Sequence, residues 1–144
     1  MRKIKGVLLS KQKVIPLDNG NVLHALKCSD ESFKGFGEVY FSEIKSGAVK
    51  AWKRHKNMTM NFLVPIGSVR FILFEDTEQV STNDYMSVEL SRENYSRLTI
   101  PPMVWVGFTG ISDQTSLIIN IADIPHDPEE VDHLDKDAVD FEWI

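Results

Sequence analysis

Lys53 and His55 are the residues whose types and spacing most directly suggest chemistry in this sequence. They lie two positions apart in a β-rich run, and side chains at positions i and i+2 of a strand point to the same side of a sheet. An imidazole accepts or donates a proton near neutral pH, and a lysine acts as a base where burial disfavours its ammonium form. The pair therefore predicts proton transfer in a cavity, although a solvated lysine on a rim is an equally good interpretation of Lys53.

Asn120 is a further candidate because it interrupts the apolar run Leu117–Ala122. A buried amide must find hydrogen-bond partners, so we favour a pocket position for Asn120 over a purely structural hydrogen bond. The phenols that remain as proton donors are Tyr40, Tyr85 and Tyr95, and their spacing singles out none of them. The other histidines, His24, His126 and His133, lie in polar or turn surroundings and call for no functional interpretation.

The elements that must position these side chains are short β-rich runs separated by turn residues, with almost no helical periodicity. The runs are Ile4–Leu9, Val22–Leu26, Gly37–Ile44, Ala48–His55, Met60–Ile66, Val69–Phe74, Met86–Leu90, Leu98–Ile100, Val104–Phe108 and Leu117–Ala122. Ser91–Tyr95 is predicted to form one helical turn with Ser91 as its cap. The pattern predicts an all-β sandwich or barrel, and residues 1–144 are expected to form a single domain.

Composition narrows the choice of partner and location. The 144 residues carry a net charge of -5 from interspersed acids and bases, and no basic stripe that would bind nucleic acid is present. Cys28 is the sole cysteine, so no intrachain disulfide is expected and a reducing, cytoplasmic location is favoured. No apolar stretch reaches the length of a membrane span. The acidic stretch from His126 to Glu142 is predicted to be a solvated face.

The spacing around His55 resembles the cupin pattern of glycine, five residues, His, one residue, His, four residues, Glu, six residues and glycine. Here Gly47 and Gly67 are kept at the two ends, with Lys53, His55 and Met60 between them. A later strand of the pattern carries another histidine, and this chain has Val106 in that place. One imidazole does not hold a divalent ion against water, so we expect a cupin jelly-roll β-barrel with no metal and no cofactor.

Two stretches carry a closer resemblance, Glu38–His55 (EVYFSEIKSGAVKAWKRH) and Val88–Phe108 (VELSRENYSRLTIPPMVWVGF). Both are similar to segments of the dTDP-4-dehydrorhamnose 3,5-epimerases and their shorter relatives, and the likeness extends over about residues 19–143. The resemblance implies that Lys53 stands where the catalytic histidine of that family belongs. It places Asn120 where the family has its tyrosine acid.

The resemblance also implies binding residues. Lys50 matches an arginine that binds the phosphate of the nucleotide, and Asp135 or Asp137 matches an aspartate that orients the catalytic histidine. Met60 falls on the returning strand and should face the cavity. Trp52 and Trp105 are candidates to stack on a base or sugar, although core or dimer packing is the better interpretation of both.

The implied activity is that of a 3,5-epimerase or isomerase acting on a dTDP-4-keto-6-deoxyhexose in deoxysugar or cell-surface polysaccharide biosynthesis. His55 or Lys53 would be the base, and Asn120 would polarise the ketone. The alternative is a non-catalytic cupin that binds a sugar nucleotide, or stabilises a partner enzyme, after losing the histidine and tyrosine of the family. Because members of the family pair through their sheets, we also expect a homodimer.

Overall fold

Antiparallel strands are the main regular structure of the computed structural model, which describes residues 3–75 and 84–143. In chain order they are β1 (Leu8–Lys11), β2 (Val14–Ile15), β3 (Val22–Leu23), β4 (Glu38–Ile44), β5 (Val49–His55), β6 (Met60–Ile66), β7 (Ser68–Glu75), β8 (Met86–Ser91), β9 (Ser96–Ile100), β10 (Val104–Gly110), β11 (Ser116–Ala122) and β12 (Val131–His133). Short 3-10 helices, η1 (Pro128–Glu130) and η2 (Lys136–Ala138), flank β12. In the described part of the chain, no helix is long and apolar enough to cross a membrane.

The strands form two sheets that face one another. One sheet has the order β1-β9-β6-β11-β4 and the other has the order β12-β5-β10-β7-β8, while β2 and β3 form a small hairpin. Alternate residues of both sheets point into a shared core, where the rings of Phe62 from β6 and Phe71 from β7 lie 5.2 Å apart. This arrangement is a jelly-roll barrel, which confirms the predicted all-β cupin fold.

Two local predictions differ from the structure. The helical turn predicted at Ser91–Tyr95 is wrong, because Ser91 ends β8 and its backbone N–H donates to the Asn94 carbonyl at 3.4 Å, closing a hairpin turn into β9. The helical turns lie instead in the acidic stretch near the C-terminal end, at η1 and η2. That stretch also contains β12, which the sequence patterns did not indicate because a three-residue strand has too few positions for an alternation to show.

Both sheets are also partly covered on their outer faces. Val14 and Leu23 of the hairpin of β2 and β3 pack against Leu63 and Ile121 of the first sheet and against Tyr95, which precedes β9. On the second sheet, an aromatic cluster comprises Trp52, Ile72, Phe74, Tyr85 and Trp105, and it packs against Val139, Phe141 and Trp143. The side chain of Trp52 therefore belongs to an outer hydrophobic cluster.

Gly107 on β10 allows this cluster to form close to the sheet. A Cβ atom at position 107 would lie 2.7 Å from the Ala51 Cβ and 2.8 Å from the Trp52 Cε3. The pairing of β10 with β5 shifts its register at this point, between Val106 and Phe108. We expect Gly107→Ala to lower the free energy of unfolding by about 1–3 kcal/mol through overpacking against Trp52. Urea unfolding followed by tryptophan fluorescence measures this, and an unchanged midpoint would contradict the close approach.

Candidate active site

A cavity of about 730 Å³ lies between the two sheets, where edge strand β4 approaches β5 and β12. Its lining combines cationic, polar and apolar side chains. The lining residues are Tyr40, Ser42, Lys50, Ala51, Trp52, Lys53, His55, Met60, Phe62, Val106, Phe108, Asn120, His133, Leu134, Asp135 and Ala138. All of the predicted site residues except Trp105 and Asp137 are in this set. Trp105 is 4% exposed and lies in the outer aromatic cluster, so it does not stack on a ligand in this cavity.

His55 is paired with a carboxylate that the sequence analysis did not single out. The Nδ1 atom of His55 lies 2.7 Å from Oε1 of Glu130, which is itself 5% exposed. The other carboxylate oxygen of Glu130 accepts hydrogen bonds from the backbone N–H groups of Asn57 and Met58, both at 2.8 Å. The turn after β5 thus fixes Glu130, and Glu130 fixes the orientation of the imidazole.

The carboxylate beside His55 is neither of the two candidates, Asp135 and Asp137, that the resemblance matched to the aspartate orienting the family's catalytic histidine, which corresponds to position 53. Asp135 lines the cavity and Asp137 lies in η2. The pairing does correct the interpretation of the acidic stretch. The acidic stretch is not entirely a solvated face, because Glu130 points inward from η1. The local sequence does not distinguish Glu130 from its exposed neighbour Glu129. The tertiary fold alone determines that Glu130 is the carboxylate that points inward.

Glu130 should make the fold sensitive to acid. Burial raises the pKa of Glu130, but hydrogen bonds from His55 and from the two backbone N–H groups outweigh it, and the net pKa is below the ordinary value of 4.5. A carboxyl whose pKa is lower in the folded state stabilises the fold above its unfolded pKa, and this contribution is lost as pH falls through the folded pKa. The wild type should therefore be more stable than Glu130→Gln at pH 7, and the gap should shrink below about pH 4.5. Urea unfolding of both proteins across this range tests the expectation, and a gap independent of pH would contradict it.

Lys53 and His133 lie directly opposite one another on β5 and β12, and both line the cavity. Within the described residues, Lys53 has neither a hydrogen-bond partner nor an ion-pair partner, whereas the adjacent Arg54 binds Asp132 at 2.7 Å. Lys53 thus provides an uncompensated ammonium group to the cavity. His133 belongs to the site even though its polar surroundings in the sequence suggested no function.

The first sheet contributes Tyr40 and Asn120, which are directly opposite on β4 and β11. Asn120 Nδ2 donates to the Tyr40 carbonyl at 3.3 Å, to Ser42 Oγ at 3.0 Å and to the Ile118 carbonyl at 3.2 Å. The two amide hydrogens are thus already engaged within the protein. Partial burial, followed by the nearby charge of Glu38, raises the pKa of the Tyr40 phenol above its ordinary value of 10.0. Tyr40 is therefore a protonated phenol on the wall contributed by β4.

The remaining predicted residues also line the cavity. Lys50 Nζ donates to the Glu43 carbonyl at 2.7 Å, and Met60 is 3% exposed. Among residues 3–75 and 84–143, no three His, Cys, Asp or Glu side chains are grouped closely enough to hold a metal ion. The positions that carry ligands in metal-binding cupins are filled here by Lys53, His55, Met60 and Val106.

Fold and site together define a cupin barrel in which His55 lines a cavity and is hydrogen-bonded to the buried Glu130. No model of a known protein family matches the chain. The structure resembles the crystal structure of a dTDP sugar isomerase from Desulfovibrio desulfuricans G20, with 41% sequence identity and a TM-score of 0.89 over 97% of this chain and 92% of the other. The chain therefore belongs to the family of this dTDP-sugar isomerase, and it shares its fold with the dTDP-4-dehydrorhamnose 3,5-epimerases.

Curated sequences agree with this assignment. A probable low-salt glycan biosynthesis epimerase of Haloferax volcanii, Agl13, is 30% identical over 95 residues, which cover 65% of this chain and 61% of that protein. The chain thus matches less than two thirds of this relative's length. The spore coat polysaccharide biosynthesis protein SpsL of Bacillus subtilis is 22% identical over 97% of this chain and 96% of that protein.

Proposed function

We propose that this protein is a metal-independent epimerase or isomerase of a nucleotide-linked 4-keto-6-deoxy sugar, acting in the synthesis of a deoxysugar or a surface polysaccharide. The observation that carries the proposal is His55, which lines the cavity of a dTDP-sugar isomerase fold and lies 2.7 Å from the buried carboxylate of Glu130. An imidazole oriented by a carboxylate is the arrangement that a general base requires. The pair therefore supports catalysis over the non-catalytic alternative.

His55 is the base in this proposal. Because Glu130 accepts the hydrogen bond from Nδ1–H, the lone pair of the neutral imidazole is on Nε2. Nε2 takes the proton from the carbon next to the ketone, and the electron pair moves onto the ketone oxygen to give an enolate. Glu130 then stabilises the imidazolium that forms.

Lys53 is proposed to stabilise the enolate oxygen. It lies two residues from His55 on β5, lines the same cavity and has no other partner in the described chain. A fixed ammonium beside a developing oxyanion lowers the barrier because it interacts more strongly with the transition state than with the neutral ketone. This role replaces the one first considered for Asn120, whose amide hydrogens are engaged by Tyr40, Ser42 and Ile118.

Tyr40 is proposed as the acid that completes the reaction. It lines the cavity from β4 in the first sheet, whereas His55 lines it from β5 in the second. A proton delivered from Tyr40 to the face opposite His55 inverts the carbon. If the enolate oxygen instead takes up a proton and the hydroxyl on the neighbouring carbon gives one up, return of the proton by His55 to the former carbonyl carbon moves the carbonyl group along the ring.

The charges of the cavity support a nucleotide ligand. The whole chain has a net charge of -5, yet the lysines Lys50 and Lys53 outnumber the one carboxylate, Asp135, in the lining of this cavity, which also contains His133. Lys50 Nζ uses one hydrogen for the Glu43 carbonyl and retains others for a phosphate oxygen. An anionic diphosphate next to a neutral sugar fits this distribution.

The activity can be tested by incubating the protein with dTDP-4-keto-6-deoxyglucose and with its UDP counterpart, and following the sugar protons by NMR. We expect the dTDP compound to be converted to a product with altered stereochemistry or a displaced carbonyl group. If both compounds are recovered unchanged at high enzyme concentration, the proposed function is wrong.

We also infer a homodimer, formed through the exposed edge of the first sheet. β4 is an edge strand, and its outward-facing Val39 and Phe41 are 44% and 64% exposed, next to Phe36 at 68%. Light scattering at micromolar concentration should give twice the chain mass of 16.4 kDa. Phe41→Glu should shift the protein towards the monomer, whereas Leu9→Glu changes an exposed residue on β1, at the opposite edge of the same sheet, and serves as the control. A monomeric wild type would contradict the inferred homodimer.

A cytoplasmic location and a single cupin domain over residues 1–144 complete the proposal. Cys28 is exposed and free, as expected in a reducing compartment. Both sheets contribute to one inner hydrophobic cluster, as expected of one domain.

A further inference from the structure

The segment Leu134–Trp143, here called the C-terminal clamp, faces the barrel in two ways. Its first half supplies Leu134, Asp135 and Ala138 to the lining of the cavity. Its second half supplies Phe141 and Trp143 to the aromatic cluster on the outer face of the second sheet. The same ten residues therefore form part of the ligand-facing wall and part of an outer hydrophobic cluster.

Trp52 joins these two halves. Its backbone N–H donates to the Leu134 carbonyl at 2.9 Å, and the Leu134 N–H donates back to the Trp52 carbonyl at 3.1 Å. The indole Nε1 donates to the Lys136 carbonyl at 3.4 Å. Trp52 is 1% exposed and also borders the cavity, so a shift of the clamp alters the wall on which a ligand rests.

Ring packing holds the clamp in place. The Phe141 ring lies 4.8 Å from that of Tyr85 and 4.9 Å from that of Trp143, and the Trp143 ring lies 5.0 Å from that of Trp52. These separations fall in the range at which aromatic pairs attract beyond the burial of their area. β12 pairs with β5 just before the clamp, so the barrel backbone anchors only its start.

We propose that Phe141 and Trp143 are positioning residues of the cavity and that docking of the C-terminal clamp and binding of the ligand stabilise one another. A ligand that contacts Leu134, Asp135 and Ala138 binds the docked state better than the undocked state, so each event must favour the other. The identity of the ligand as a dTDP compound rests on the proposed function. The coupling itself rests on the packing of the clamp.

The test compares Trp143→Ala and Phe141→Ala with the conservative variants Trp143→Phe and Phe141→Leu. Circular dichroism and thermal unfolding first establish that the barrel remains folded, and calorimetry then measures the affinity for dTDP. We expect the alanine variants to bind dTDP about 10-fold more weakly and the conservative variants to stay close to the wild type. In the wild type, dTDP should slow hydrogen exchange at the amides of residues 134–143. Folded alanine variants with wild-type affinity, or exchange unaffected by dTDP, would overturn the proposal.

Histidine NMR of the free protein tests the positioning role of the clamp independently of the proposed function. If the wild type does not bind dTDP, the ligand assignment is wrong, but the effect of the clamp on the cavity can still be measured without ligand. His133 immediately precedes the clamp and lies opposite Lys53. Its imidazole resonances should therefore move in Trp143→Ala and return in Trp143→Phe. Identical His133 resonances in the wild type and Trp143→Ala would overturn the positioning role.

Discussion

Replacing His55 with glutamine should lower the turnover of a dTDP-4-keto sugar by about 10²–10⁴-fold, the usual contribution of a positioned general base. Glutamine retains the size and a hydrogen-bonding group that can face Glu130, but it cannot take a proton from carbon. The binding of dTDP should change little, because His55 acts on the sugar. Steady-state kinetics and calorimetry on the same preparation measure both quantities.

His126→Gln is a matched control for this substitution, because His126 is exposed and does not line the cavity. It should leave both turnover and affinity unchanged. If His55→Gln turns over the sugar as fast as the control, His55 is not the base and the site assignment fails.

Lys53→Met should lower turnover by about 10²–10³-fold, in the range measured when a single oxyanion donor is removed from other enzymes. Methionine keeps the length and the apolar stem of lysine but has no charge with which to stabilise the enolate. Lys50→Met is the comparison within the same strand. Its effect should fall mainly on KM, because Lys50 is assigned to the phosphates.

Lys53→Arg distinguishes the two roles considered for Lys53. An arginine remains charged and cannot serve as a base, so it should restore part of the activity if position 53 stabilises the enolate oxygen. If Lys53 were the base, the arginine and methionine variants would be equally inactive. If Lys53→Arg is as inactive as Lys53→Met, the result would favour Lys53 as the base.

Much of the barrel follows from local patterns in the sequence. The run Met60–Ile66 coincides with β6, because Pro65-Ile66-Gly67 marks its end and apolar residues fill its length. The spacing around His55 was sufficient to place Lys53, His55 and Met60 in one cavity. Both results depend on short-range geometry, because consecutive residues determine which face of a strand each side chain occupies and where the strand turns.

The remainder of the site depends on contacts between distant parts of the chain. Glu130 reaches His55 across 75 positions, and an acidic stretch gives no local signal that one carboxylate turns inward. Trp105 alternates with Val106 on β10, so the face that it occupies depends on which side of the second sheet is the core. Tyr40 is distinguished from the other phenols only by lying on β4 at the edge of the first sheet. Tertiary packing, and not the local sequence, determines which of these side chains reach the cavity.

Deuterium incorporation from D₂O into a dTDP-4-keto-6-deoxy sugar is the most direct test of the account, because it reports removal of the proton next to the ketone even if no net product accumulates. The wild type and His126→Gln should introduce deuterium at a carbon adjacent to the ketone, and His55→Gln should not. A wild type that binds the sugar nucleotide yet incorporates no deuterium would contradict the account and identify the protein as a binding member of its family.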